Sequence, residues 1–148
     1  MDADRALTTG GRERVRSVAK LLVAENEKPL RVVTSHLVRA VQTAEIVALV
    51  TKLSDGRVET RREVAPGGEA LGLVRRLVAD GTKRAMLVGH EPDLSELLAS
   101  LMGAAFERPF EKAMVVGLRV PADEGVARLR FVVDPKALRF DPDRRQND

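Results

Sequence analysis

The chain has 148 residues, 44% apolar and 32% charged, a balance that fits one globular domain able to bury about two-thirds of the surface its unfolded form exposes. It has no cysteine, which excludes disulfides, a thiolate nucleophile and a Cys-based metal site; with two histidines besides, no metal or cofactor is expected. The net charge is +3, but basic and acidic residues are mixed throughout and aromatics make up 3% with no Tyr or Trp, so nucleic-acid binding is not expected.

No stretch approaches the ~18 consecutive apolar residues of a membrane span. The opening MDADRALTTGGRE lacks the basic and apolar regions of a signal peptide, so the expected location is the cytoplasm, without membrane partners. Thr8 or Thr9 caps a first helix, in which Val15, Val18, Ala19 and Leu22 recur at i, i+3, i+4 and i+7. After the polar turn Glu25 to Pro29, Leu30 to Thr34 reads as a short buried strand. Leu37 to about Val50 is helical, with Ala40, Val41, Ala44, Val47 and Ala48 on one side. Arg57 to Val64 reads as a weaker, charged edge strand. Pro66-Gly67-Gly68 breaks the chain before a helix from Glu69 to Ala79, which Asp80-Gly81 ends.

Ala85 to Val88 reads as a second buried strand and Gly89 to Pro92 as the turn after it. Leu94, Leu97, Leu98 and Leu101 mark a helix ended by Gly103. Met114 to Val120 and Val126 to Val133 predict an antiparallel hairpin across Pro121 to Gly125. Alternating strands and helices predict an α/β fold, a mostly parallel sheet covered on both faces, over residues 1–134. Residues 135–148, polar and unpatterned, read as a loose tail.

Two segments carry the chemistry. SHLVRAVQTAE (Ser35 to Glu45) and VGHEPDLSELL (Val88 to Leu98) each follow a strand and open a helix, so both sit on the edge where α/β proteins bind ligands. Arg39 presents a permanently charged fork that matches two phosphoryl oxygens. It stands in a first helical turn, where a cation is unfavourable unless an anion binds there. His90 can donate to a phosphoryl group or attack it when neutral. If one phosphoryl group bridges Arg39 and His90, their functional ends lie within about 10 Å. His36 reads as a turn residue, Glu91 and Asp93 as helix-start groups, and Gln42, Thr43 and Glu45 as solvent-facing or locally capping.

These motifs resemble the histidine phosphatase superfamily. SHLVRAVQTAE is similar to its Ser-x-x-x-Arg-Ala-x-x-Thr-Ala helix start, and LVGHEPDLSELLASLMG to its second-histidine motif in the SixA-like form. DADRALTTGGRERV resembles the Asp-x-x-Arg-x-Leu-Thr-x-x-Gly segment that follows the family's first strand; Ala65 to Gly68 and VVDPKALR also fit. The resemblance covers nearly the whole chain. It implies a three-layer αβα sandwich of the phosphoglycerate mutase-like kind and catalysis through a phosphohistidine intermediate, with no metal or other cofactor. Arg39 matches the phosphate-clamping Arg, His90 the second His that stabilises the transition state, and Arg5 an Arg that reaches the phosphate.

The family's first strand, ending in Arg-His-Gly with the nucleophilic His, has no counterpart here. Either the start is misplaced or truncated, or the chain is a degenerate member without a nucleophile. Loss of a central strand leaves costly unpaired backbone edges, which favours the first explanation. The implied activity is removal of phosphate from a His-phosphorylated signalling protein, because imidazole leaves easily and the compact Ala65 to Glu69 region offers only Glu69 as a general acid. A non-catalytic phosphate- or phosphoprotein-binding domain, and a small-molecule phosphomonoesterase, are the alternatives. The oligomeric state is not legible.

Overall fold

The computed structural model describes residues 4–143. In chain order it contains α1 (Thr9–Ala24), β1 (Arg31–Thr34), α2 (Val38–Val50), β2 (Glu59–Thr60), α3 (Ala70–Ala79), β3 (Ala85–Val88), α4 (Asp93–Met102), β4 (Val115–Arg119), β5 (Arg128–Asp134) and β6 (Arg139–Pro142). Short 3-10 turns lie at Ser54–Gly56 and Arg62–Val64. The caps follow the sequence. Thr8 Oγ1 accepts from the Gly11 N–H at 2.9 Å to start α1, and Gly103 ends α4 at φ 70°, a left-handed conformation that glycine adopts without strain.

Neighbouring residues of β1 divide the core. Val32 packs with Val15 and Ala19 of α1 and Ala44 and Val47 of α2, whereas Val33 packs with Val64 and with Leu73 and Leu77 of α3. This is strand alternation, with each face covered by helices whose apolar stripes follow the helical period. All nine of these residues are buried.

The sheet is not one continuous, mostly parallel layer, as the sequence predicts. It is a parallel three-stranded sheet, β2-β1-β3, and an antiparallel three-stranded sheet, β4-β5-β6. β3 and β4 each keep one edge without a ladder partner among the described residues. Met86 of β3 and Val115 of β4 nevertheless pack into the same cluster as Val18 and Leu22 of α1. Both strands that keep an open edge therefore pack against α1.

Three further differences follow from local physics. Ala85–Val88 is half-exposed rather than buried, because β3 has β1 alone as its partner. The charged strand expected over residues 57–64 shrinks to Glu59–Thr60, and Val64 then turns inward against Leu73 and Leu77. The loose tail expected over 135–148 is corrected by β6. The Asp134 carboxylate accepts from the Lys136 and Ala137 N–H groups at 2.9 and 3.0 Å, which reverses the chain. Phe140 then stacks on Phe131 with ring centroids 4.7 Å apart. Residues 144–148 of that tail lie outside the described residues. The β4–β5 hairpin matches its prediction. Among the described residues no helix is long and apolar enough to cross a membrane.

Candidate active site

Parallel pairing of β1 with β3 sets Thr34 beside Val88, so the chain leaves both strands at one rim. There the Ser35 N–H donates to the Val88 carbonyl at 3.2 Å. The Ser35 side chain is fully buried, and its Oγ lies 2.6 Å from His90 Nε2. The turn beneath His90 is tight: a Cβ on Gly89 would stand 3.1 Å from both Val64 Cγ1 and Leu94 Cδ2. Glycine lets the backbone pass between them. Thr34 Oγ1, at the same strand end, is buried without a hydrogen-bond partner among the described residues.

The second wall of the rim is the start of α2. Leu37 stands at its N-cap without a side-chain cap bond, and the first turn holds no acid. The first amides of a helix have no intrahelical acceptors and carry partial positive charge, so this terminus favours an anion. Arg39 is the second residue of the helix and is half-buried; its carbonyl accepts from Thr43 Oγ1 at 2.8 Å. Burial, and then the Arg39 charge, lower the pKa of His90 below the ordinary histidine value, while Asp93 opposes the shift and His36 adds to it. The imidazole is thereby held neutral near pH 7, and a nearby cation is one of the causes.

The remaining candidates divide clearly. Arg5 is exposed, two residues before Leu7, whose N–H donates to Gln42 Oε1 at 2.8 Å. Gln42 is thus not the solvent-facing or capping residue expected from sequence; it ties the segment that carries Arg5 to α2, one turn beyond Arg39. Glu91 accepts from Ser95 through both its N–H and its Oγ, and Asp93 accepts from the Gly67 N–H at 2.7 Å. The Asp93 bond anchors the Pro66–Gly68 turn to the start of α4. Glu69 is exposed at the N-cap of α3, and His36 is exposed in the turn before α2. Among the described residues no group of three His, Cys, Asp or Glu side chains could hold a metal ion.

Sequence reasoning missed Ser35 and Gln42. Ser35 stood in the quoted motif, four residues before Arg39, but its contact with His90 depends on a register of 55 positions that only the fold supplies.

An arginine at an uncapped helix start and a half-buried histidine thus stand at the carboxyl ends of paired parallel strands in an α/β protein. The chain belongs to the histidine phosphatase superfamily (branch 1), whose sequence model matches residues 1–69. It is 33% identical over 138 residues to an uncharacterised protein of Picosynechococcus sp., an alignment spanning 90% of this chain and 80% of the relative.

Among solved structures, it resembles the protein histidine phosphatase SixA complexed with tungstate, with TM-score 0.86 and 23% identity over 94% of this chain and 90% of that one. A protein of Agrobacterium tumefaciens assigned as a SixA phosphohistidine phosphatase gives TM-score 0.74 and 21% identity over 91% and 86%. The mycobacterial glucosyl-3-phosphoglycerate phosphatase with inorganic phosphate gives 0.59 and 20% over 86% and 87%. Likeness at these identities shows the fold, an α/β arrangement of a parallel and an antiparallel sheet shared with histidine phosphatases.

Proposed function

We propose that this chain is a SixA-like phosphohistidine phosphatase domain that removes phosphate from a His-phosphorylated signalling protein in the cytoplasm. Its fold on this reading is the three-layer αβα, phosphoglycerate mutase-like sandwich with the place of one strand open between β3 and β4. The observation that carries the reading is the convergence of Arg39 and His90 at one strand edge, against a helix start with no cap of its own. Arg39 and the α2 amides bind the phosphoryl oxygens, Arg5 adds charge from the preceding segment, and His90 stabilises the charge that develops in transfer.

The substrate class follows from the carboxylates. Hydrolysis of a phosphomonoester expels an alkoxide and gains from a general acid, whereas phosphohistidine expels an imidazole that leaves readily once protonated. Glu91 and Asp93 spend their carboxylates on backbone and serine donors, which supports the substrate that needs less acid help. The likeness to a glucosyl-3-phosphoglycerate phosphatase supports the small-molecule phosphomonoesterase as an alternative reading, beside a non-catalytic phosphate- or phosphoprotein-binding domain.

Covalent catalysis needs a nucleophilic imidazole in line with the phosphorus atom. A strand paired between β3 and β4 would end at the rim that carries Ser35 and His90, so a histidine at its carboxyl end completes the site. The test is hydrolysis of a phosphohistidine peptide against an aryl phosphate, by a chain in which a strand ending in Arg-His-Gly precedes residue 4. Preferential release of phosphate from the peptide is expected. Faster hydrolysis of the aryl phosphate would move the assignment to the phosphomonoesterases.

A further inference from the structure

We infer that Ser35 is a positioning residue that fixes the tautomer of His90, so that Nδ1–H is the donor His90 presents to the phosphoryl group. The functional half of this inference rests on the phosphatase reading above; the tautomer does not.

The Ser35 hydroxyl is fully buried, and His90 Nε2 is the acceptor the structure places within reach, at 2.6 Å. The Leu37 N–H points at the same Oγ, 3.4 Å away, and so faces one of its lone pairs. The hydroxyl proton is then the part left for the imidazole. Were Nε2 protonated instead, two N–H donors would face one oxygen and the buried O–H would lack an acceptor, a costly arrangement. Ser35 O–H therefore donates to an unprotonated Nε2. A neutral ring must carry its proton on one nitrogen, so Nδ1 holds it. The depressed basicity of His90 agrees with a neutral ring.

A Ser–His contact can also be a nucleophile with its base. Burial excludes that role here, because a nucleophile has to reach its substrate and Ser35 has no exposed surface. Its placement suits orientation instead. The Ser35 backbone is bonded to the end of β3, and its side chain holds the ring that follows two residues later. Strand register thus fixes the imidazole through one residue.

The test uses the 148-residue chain labelled with 15N-histidine at mildly alkaline pH, without phosphate. His36→Gln assigns the two rings. The expected spectrum shows a pyrrole-type Nδ1 and a pyridine-type Nε2 for His90. Ser35→Ala should revert the ring to the Nε2–H form that an unconstrained histidine side chain favours, and Ser35→Thr should keep the Nδ1–H form. Weakening of phosphate binding by about 5-fold in Ser35→Ala, the size of one ordinary hydrogen bond, should accompany the change. An Nε2–H tautomer in the unaltered protein overturns the inference, and that measurement stands even if Ser35→Ala fails to fold. If the tautomer is as expected but added phosphate leaves the Nδ1 resonance unmoved, the phosphatase reading falls and the tautomer assignment survives.

Discussion

The Leu7 N–H donates to Gln42 Oε1 at 2.8 Å, joining the segment that carries Arg5 to the turn of α2 just beyond Arg39. This bond spans 35 positions and leaves no mark in either local motif. Gln42→Ala removes the acceptor from a half-buried amide, which should cost about 1–3 kcal/mol and speed hydrogen exchange at Leu7. If Arg5 reaches the phosphate, Gln42→Ala also weakens phosphate binding, and Arg5→Ala adds little to it. Full additivity of the two changes would place Arg5 outside the site.

Arg39 stands where a cation is poorly placed for the helix itself, and on the proposed reading it grips the phosphoryl group. Arg39→Ala should weaken phosphate or vanadate binding by ~1.5–3 kcal/mol, the usual worth of a charged hydrogen-bond partner, with little change in thermal stability. Titration followed by NMR checks this. Equal shifts in both proteins would remove Arg39 from the site.

His90 gives a pH signature whose sign is fixed by its surroundings. Burial and the Arg39 charge make the folded state resist a proton that the unfolded chain accepts near pH 6.5. Stability therefore falls as pH drops through about 6.5 and levels off below the lower, folded-state value. Bound phosphate should raise the His90 pKa, because an anion favours the imidazolium. Denaturant titrations at pH 8 and pH 5, compared with His90→Gln, read the first effect, and the His90 ring resonances read the second. A folded His90 that titrates at or above 6.5 without phosphate contradicts both.

Much of the architecture was legible because it is local. Thr8, Gly103 and the stripe of Val15, Val18, Ala19 and Leu22 each declare a helix through caps and period. Arg39 and His90 were legible as candidates because residue type and position after a strand single them out. What sequence could not show is pairing at a distance: Ser35 with His90, Leu7 with Gln42, and Phe140 with Phe131. The last of these turned an apparently shapeless tail into β6, since one aromatic ring amid polar residues carries no periodic pattern.

Phe131 also depends on a residue without a side chain. It is buried, stacks on Phe140, and rests on Gly117, where an added Cβ would overlap its ring. Gly117→Ala should destabilise the antiparallel sheet by ~1–3 kcal/mol through overpacking. Phe131→Leu should relieve part of that cost, giving a double variant more stable than the sum of its changes. Chemical denaturation of the four proteins measures the coupling, and strict additivity would separate the two sites.

Among the described residues the sheets leave one edge of β3 and one of β4 unpaired, both strands pack against α1, and the histidines at the rim are His36 and His90. His36 is exposed in its turn, and His90 is bonded through Nε2 to Ser35, so neither is set for in-line attack. Residues 1–148 alone should therefore bind phosphate yet show negligible turnover of phosphohistidine peptides. A strand ending in Arg-His-Gly, placed ahead of residue 4, should pair with both open edges, raise stability and restore hydrolysis. His90→Ala in that chain should then lower turnover by about 100-fold or more, the scale of losing a transition-state donor, without unfolding it. Trapping of an acid-labile phosphoryl group on His90 or His36 of the 148-residue chain would reverse this assignment of roles.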